Sequence, residues 1–274
     1  MTTGTTTVCD ATVPNPWTST VGSGDGGPDD GRTVEVQSGA GVVVGNASAV
    51  SFAGVGNVLS NSGSLTATNA AAIGFNNSTG RNRVVNTGTG VIQADGTAIA
   101  ATGGGALDFI NAGLVTGNVV LGAGDDLLDL SGRIDGSVDQ GAGNDTAILR
   151  AGGTLTGALA QGAGNDRLEV QGGVVNGATT QGAGEDTAVL SAGTLASLDQ
   201  GDGVDSLQIS GGSVTGTVQQ GNGTDNFLMT DGTLGALLQG DNYDSFRMTG
   251  GRIIGAFEDG DYASVRSRTA TTPR

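Results

Sequence analysis

The stretch "QGAGNDTAILRAGGTLTGALAQGAGNDRLEV", residues 140–170, states one glycine–acid phrase twice, first at Gly141 and again at Gly162. Relatives of that phrase run on in both directions. They are GAGDD (122–126), GAGND (141–145), GAGND (162–166), GAGED (182–186), GDGVD (201–205), GNGTD (221–225) and GDNYD (240–244). The step from one start to the next is nearly constant, and a weaker GDYAS follows at 260. A fixed period of about 20 residues is the mark of a repeat architecture.

Aligning the copies on the aspartate exposes columns. Two positions after it stand Leu128, Ala147, Leu168, Ala188, Leu207, Phe227 and Phe246. Four after it stand Leu130, Leu149, Val170, Leu190, Ile209, Met229 and Met248, and the position between is mixed. Apolar, mixed, apolar is the alternation of a strand with one buried face. A second apolar column follows (Ile134, Leu155, Val175, Leu195, Val214, Leu234, Ile253), and each unit closes on a glutamine from Gln140 to Gln239. Upstream the period lengthens: NSG at Asn61, NTG at Asn86 and NAG at Asn111 are evenly but more widely spaced, with a weaker QSG at Gln37.

A unit of about 20 residues holds two or three short strands and cannot bury its apolar face alone. Stacking units in register buries a continuous aliphatic column. The expected fold is all-β: a right-handed parallel β-helix, or β-solenoid, of about ten coils. The sequence divides into a loose lead-in (1–36), a β-helix of longer coils, about 25 residues each (37–110), a β-helix of coils of about 20 residues (111–262) and a frayed tail (263–274). Stacked glutamines are expected to hydrogen-bond along the rod. Recurring corners explain the 53 glycines among 274 residues, because glycine tolerates positive φ and close backbone approach.

The chain carries 11 arginines, no lysine and no histidine, for a net charge of −16. Such an acidic chain is a poor partner for nucleic acid or anionic lipid. It lacks the commonest general base and Schiff-base lysines. Cys9 is the only cysteine, so no internal disulfide forms; it reads as an incidental thiol in the lead-in. No apolar run is long enough to span a bilayer as a helix. Positions 1–30 have no basic start or apolar stretch, so no signal peptide is legible.

In-register stacking puts Asp126, Asp145, Asp166, Asp186, Asp205, Asp225 and Asp244 in one line. Like charges about 4.8 Å apart repel by roughly 1 kcal/mol even in water, so the line needs compensation. In one reading each aspartate accepts backbone N–H groups of its own turn. In the other these seven residues hold Ca²⁺ between adjacent loops. The phrase resembles the first half of the calcium-binding RTX nonapeptide, but Gln140 replaces the first glycine and each coil has one motif where RTX rolls have two.

The segment "NTGTGVIQADGTAIAATGGGALDFINAGLVTGNVVLGAGDD" (86–126), with the GxGND…GG units after it, resembles passenger domains of Gram-negative autotransporters (type V secretion). The resemblance covers about 37–262. It implies a right-handed β-helix exported through the outer membrane by a C-terminal β-barrel, whose alternating membrane strands this chain lacks. It implies a secreted or cell-surface passenger acting in adhesion or self-association, with a second rod or a host or cell-surface protein or glycan as partner. Two alternatives stand beside it: a calcium-binding RTX-like roll, and a β-helix enzyme acting on polysaccharide. The second needs clustered acids, for which Asp129, Asp135 and Asp139, or Asp199, Asp202 and Asp205, are the candidates. GxSxG does not occur, and the chain is read as non-enzymatic.

Overall fold

A computed structural model describes residues 6–12, 15–22, 30–76 and 80–260, together with the backbone of 264–267. The chain is a parallel β-solenoid of about eleven turns with no helix among the described residues. Short strands pair in parallel with their counterparts one coil away, in the register that the sequence columns predict. Leu128 lies on Ala147, and Leu130 on Leu149. Leu149 lies on Val170, Val170 on Leu190 and Leu190 on Ile209.

The core is a spine of small aliphatic side chains running the length of the rod, from Val34 and Leu59 through Leu149 and Leu190 to Leu237. Each fully buried Val or Leu contributes about 1.5–3 kcal/mol, so many thin layers replace one thick core. Phenyl rings reinforce it at two places. Phe52 stacks on Phe75 at 5.4 Å, and Phe227 on Phe246 at 5.3 Å with nearly parallel planes. Thr179 interrupts one aliphatic column, between Leu159 and Leu198. Its hydroxyl is buried and lacks a partner. Thr179→Val is therefore expected to raise stability by about 1–2 kcal/mol, read as an upward shift in a thermal melt.

Two buried amide ladders run along the interior, at different corners. In the longer coils, Asn61 Nδ2 donates to Asn86 Oδ1 and Asn86 Nδ2 to Asn111 Oδ1, each at 2.8 Å. In the shorter coils glutamine takes over. The Nε2 of Gln161, Gln181, Gln200, Gln220 and Gln239 donates to the preceding glutamine's Oε1 at 3.1–3.2 Å. The switch occurs where Asn111 pairs with Leu130: the asparagine column becomes leucine as the coil shortens.

The stack is longer at both ends than the sequence boundaries predict. Strand Thr6–Cys9 lies on Thr33–Val36, within the segment expected to be a loose lead-in, and Cys9 is fully buried in the spine. Burial and the neighbouring Asp10 push its thiol pKa up. Asn61 pairs with Val36, not Gln37, so the QSG at Gln37 is one residue out of register. At the far end Ser264–Ser267 pairs with Ser245–Met248, carrying the stack into the segment expected to fray. The first of these coils has the strand without the glycine–acid phrase and the last follows only the weak GDYAS at 260, so the repeat marks both poorly.

Candidate functional site: a buried carboxylate column

The seven aspartates form one column, each 97–99% buried. Their acceptor role is as expected, but the donor is different. Each Oδ1 accepts the backbone N–H of the equivalent residue one coil earlier, not of its own turn. Leu107 donates to Asp126 at 2.6 Å, Asp126 to Asp145 and Asp145 to Asp166 at 2.7 Å. The chain of bonds continues through Asp186, Asp205 and Asp225 to Asp244 at 2.7–2.9 Å. The reason is the stacking itself: the corner turns each N–H along the rod axis, where the next carboxylate sits.

The column does not begin with aspartate. The backbone N–H of Arg32 donates to Asn57 Oδ1 at 2.9 Å, and that of Asn57 to Asn82 Oδ1 at 2.8 Å. Asn57 and Asn82 thus do in the longer coils what aspartate does in the shorter ones. The signal is present in the sequence: "NVLSN" (57–61), "NRVVN" (82–86) and "LDFIN" (107–111) share the frame of "DLLDL" (126–130). Aligning on the second asparagine conceals the first.

Burial costs the charged form. The second oxygen, Oδ2, of each of the seven aspartates is buried without a hydrogen-bond partner. Desolvation pushes Asp126 up to about 8, Asp145 and Asp225 to about 7, and Asp186 and Asp205 to about 6. Asp166 and Asp244 are raised by the same cause. The backbone donor opposes the rise at each position, and neighbouring carboxylates add to it at most: Asp166, Asp125 and Asp139 act on Asp145, and Asp205 and Asp244 on Asp225.

Calcium takes about six to eight oxygens at roughly 2.3–2.6 Å. The column offers it one free carboxylate oxygen per coil, because Oδ1 is already engaged. Among the described residues no three Asp, Glu, Cys or His side chains are grouped to hold a metal ion.

The acids read for polysaccharide chemistry have different surroundings. Asp129 is held by Arg150 at 2.5 and 2.8 Å, and Asp135 pairs with Arg133 at 2.5 Å. Asp205 is buried in the column, whereas Asp199 and Asp202 line an open groove of about 640 Å³ with Asn222 and Asp241. Within it the Asn222 amide donates to Asp202 at 2.7 Å.

The glutamine ladder ends in a mismatch. Gln239 receives no donor on Oε1, and the next coil places Asp259 there, whose buried Oδ1 is also unpaired. Two acceptors meet. Asp259→Gln extends the ladder by one rung and is expected to stabilise the protein by about 1–3 kcal/mol, seen as slower hydrogen exchange in the last coil.

Among the described residues no helix is long and apolar enough to cross a membrane. The fold and its interior columns define a parallel β-solenoid built on cross-coil side-chain ladders. Comparison with known protein families, characterised proteins and solved structures finds no match to the chain.

Proposed function

We propose that the chain is a display rod: a secreted or surface-exposed, non-enzymatic β-solenoid of the autotransporter-passenger kind, acting in adhesion and self-association on a bacterial cell surface. The observation that carries this reading is the register. Outward side chains of each coil lie directly over those of the next, so weak contacts repeat along a rigid face and add as multivalent binding. The absence of histidine and lysine from the sequence supports a role in contact over one in chemistry. The test is to coat beads with the protein and follow clumping, and retention on glycan- or protein-coated surfaces. Beads that neither clump nor adhere, or cleavage of a polyuronate seen as ultraviolet absorbance, would remove the reading.

A calcium-dependent form of the same rod is the second reading, favoured by the seven unpaired Oδ2 atoms. Melting in EDTA and then in calcium at fixed pH tests it. A midpoint that does not move removes it.

A further inference from the structure

The open groove of about 640 Å³ is built the same way in three consecutive coils. Each coil contributes one rung, two outward side chains on either side of a glycine. The rungs are Asp199 with Asp202, Gln219 with Asn222, and Leu238 with Asp241. One wall is a column in register, Asp199 on Gln219 and Gln219 on Leu238. On the other wall the Asn222 amide donates to Asp202 at 2.7 Å, and the Asn222 backbone bridges to Asp241. The floor is the glycine column Gly201, Gly221 and Gly240. It stays bare, because a Cβ on Gly221 would lie 1.7 Å from the carbonyl oxygen of Gly201. Earlier coils lack the second wall: in register with Asp202 they carry Ala142, Ala163 and Ala183.

We propose that this groove binds an extended neutral glycan, with one pyranose ring to each coil. The inference rests on the display-rod reading and names the ligand class and its site.

Pitch selects that ligand first. The rungs recur at one strand spacing, about 4.8 Å. A pyranose joined through positions 1 and 4 in an extended chain advances by nearly the same step, so each ring meets its own rung. An extended peptide sets its same-face side chains about 6.6 Å apart and falls out of step. Polarity agrees. The amides of Gln219 and Asn222 offer donors and acceptors, the carboxylates accept from hydroxyls, and half-buried Leu238 offers an apolar surface to the C–H face of a ring. A few placed polar groups beside apolar surface, in a space of about 300–1,000 Å³, are what small-ligand sites share. Charge narrows the choice. No arginine lines the groove, so uronate, sialyl or sulfated sugars would meet Asp199, Asp202 and Asp241 with nothing to balance them. The uncharged middle rung and Leu238 break the run of acids that a polycation would follow. An open groove of three rungs binds weakly, and rods displayed side by side turn such weak binding into firm attachment.

The test is calorimetric titration of the whole chain with defined oligomers. Cellohexaose should bind with a Kd of about 0.1–1 mM. Maltohexaose, the same sugar in a curved chain, and hexagalacturonate should bind at least about tenfold more weakly. Affinity should rise from one ring to three and level off at the fourth, where the groove ends. Gln219→Ala and Asn222→Ala should each weaken cellohexaose binding at least about fivefold with an unchanged melt. Ala163→Ser, on the same column in the coils without the second wall, should leave it as it was. Equal affinity for maltohexaose, or affinity that keeps growing with length, would overturn the match of ring to coil. Binding untouched by both alanine variants would overturn the site. Hexa-arginine binding more tightly than cellohexaose would overturn the ligand class. No heat from any hexasaccharide at about 10 mM would overturn the groove, and bead clumping and retention on protein-coated surfaces would then decide the display rod separately.

Discussion

Lowering the pH from 8 to 5 is expected to raise the melting temperature, against the usual acid sensitivity of folded proteins. An unfolded aspartate titrates near 3.8, whereas burial moves five carboxyls of the column to between about 6 and 8. Between those limits the folded state holds more protons than the unfolded one, so stability falls as pH rises. The contribution is complete below the unfolded value and is lost as pH climbs through the folded ones. Each tenfold gain in proton affinity is worth about 1.4 kcal/mol. A domain has about 5–15 kcal/mol in all, so even a fraction of this column governs the balance. The expected shift is about 10 °C or more, measured in EDTA so that protons alone are varied. Asp186→Asn supplies the control. Asn82 shows that an amide accepts the same cross-coil bond, so the variant should be more stable than the parent at pH 8 and equal to it at pH 4. A melt that is flat across this range, or that falls on acidification, would show that the column is not what sets stability.

The second large effect is steric. Gly182→Ala is expected to cost at least about 3 kcal/mol and to lower soluble yield sharply. Gly182 has φ +120°, and an added Cβ would lie 1.7 Å from the carbonyl oxygen of Gly162 in the coil before it. A Cβ built on Gly201 would lie equally close to the carbonyl oxygen of Gly182, so the packing is as tight on the next coil and the clash cannot be relieved by moving one coil without disturbing its neighbour. The measurement is denaturant unfolding beside Ala183→Ser in the exposed middle of the same phrase, which should be close to neutral. An alanine at 182 that melts with the parent would mean that the coils are spaced more loosely than the stacking requires.

Much of this architecture is legible without coordinates. The aspartate and leucine columns can be read because each coil repeats them at the same offset, and the stacked glutamines because one residue type returns at each closing position. The donor to each aspartate cannot. It comes from the coil before, and a period shows that two residues superpose without showing which backbone group turns toward which side chain. Asn57 and Asn82 escape notice for a related reason: amide and carboxylate fill the same place, and an alignment anchored on acids passes over the amides. The first and last coils are hidden because hydrogen bonding between extended backbones needs no particular side chain. Thr6–Cys9 joins the stack with none of the glycine–acid phrase.

The interior ladders have opposite polarity. Along the aspartates each coil donates to its successor, and along the glutamines each donates to its predecessor. A unit so joined meets its neighbours through one unchanging seam on either side, whatever lies farther off. Duplicating or excising a whole unit would then lengthen or shorten the molecule in steps of one strand spacing and leave every remaining seam as it was, so reach is a property this lineage can adjust without reinventing its fold.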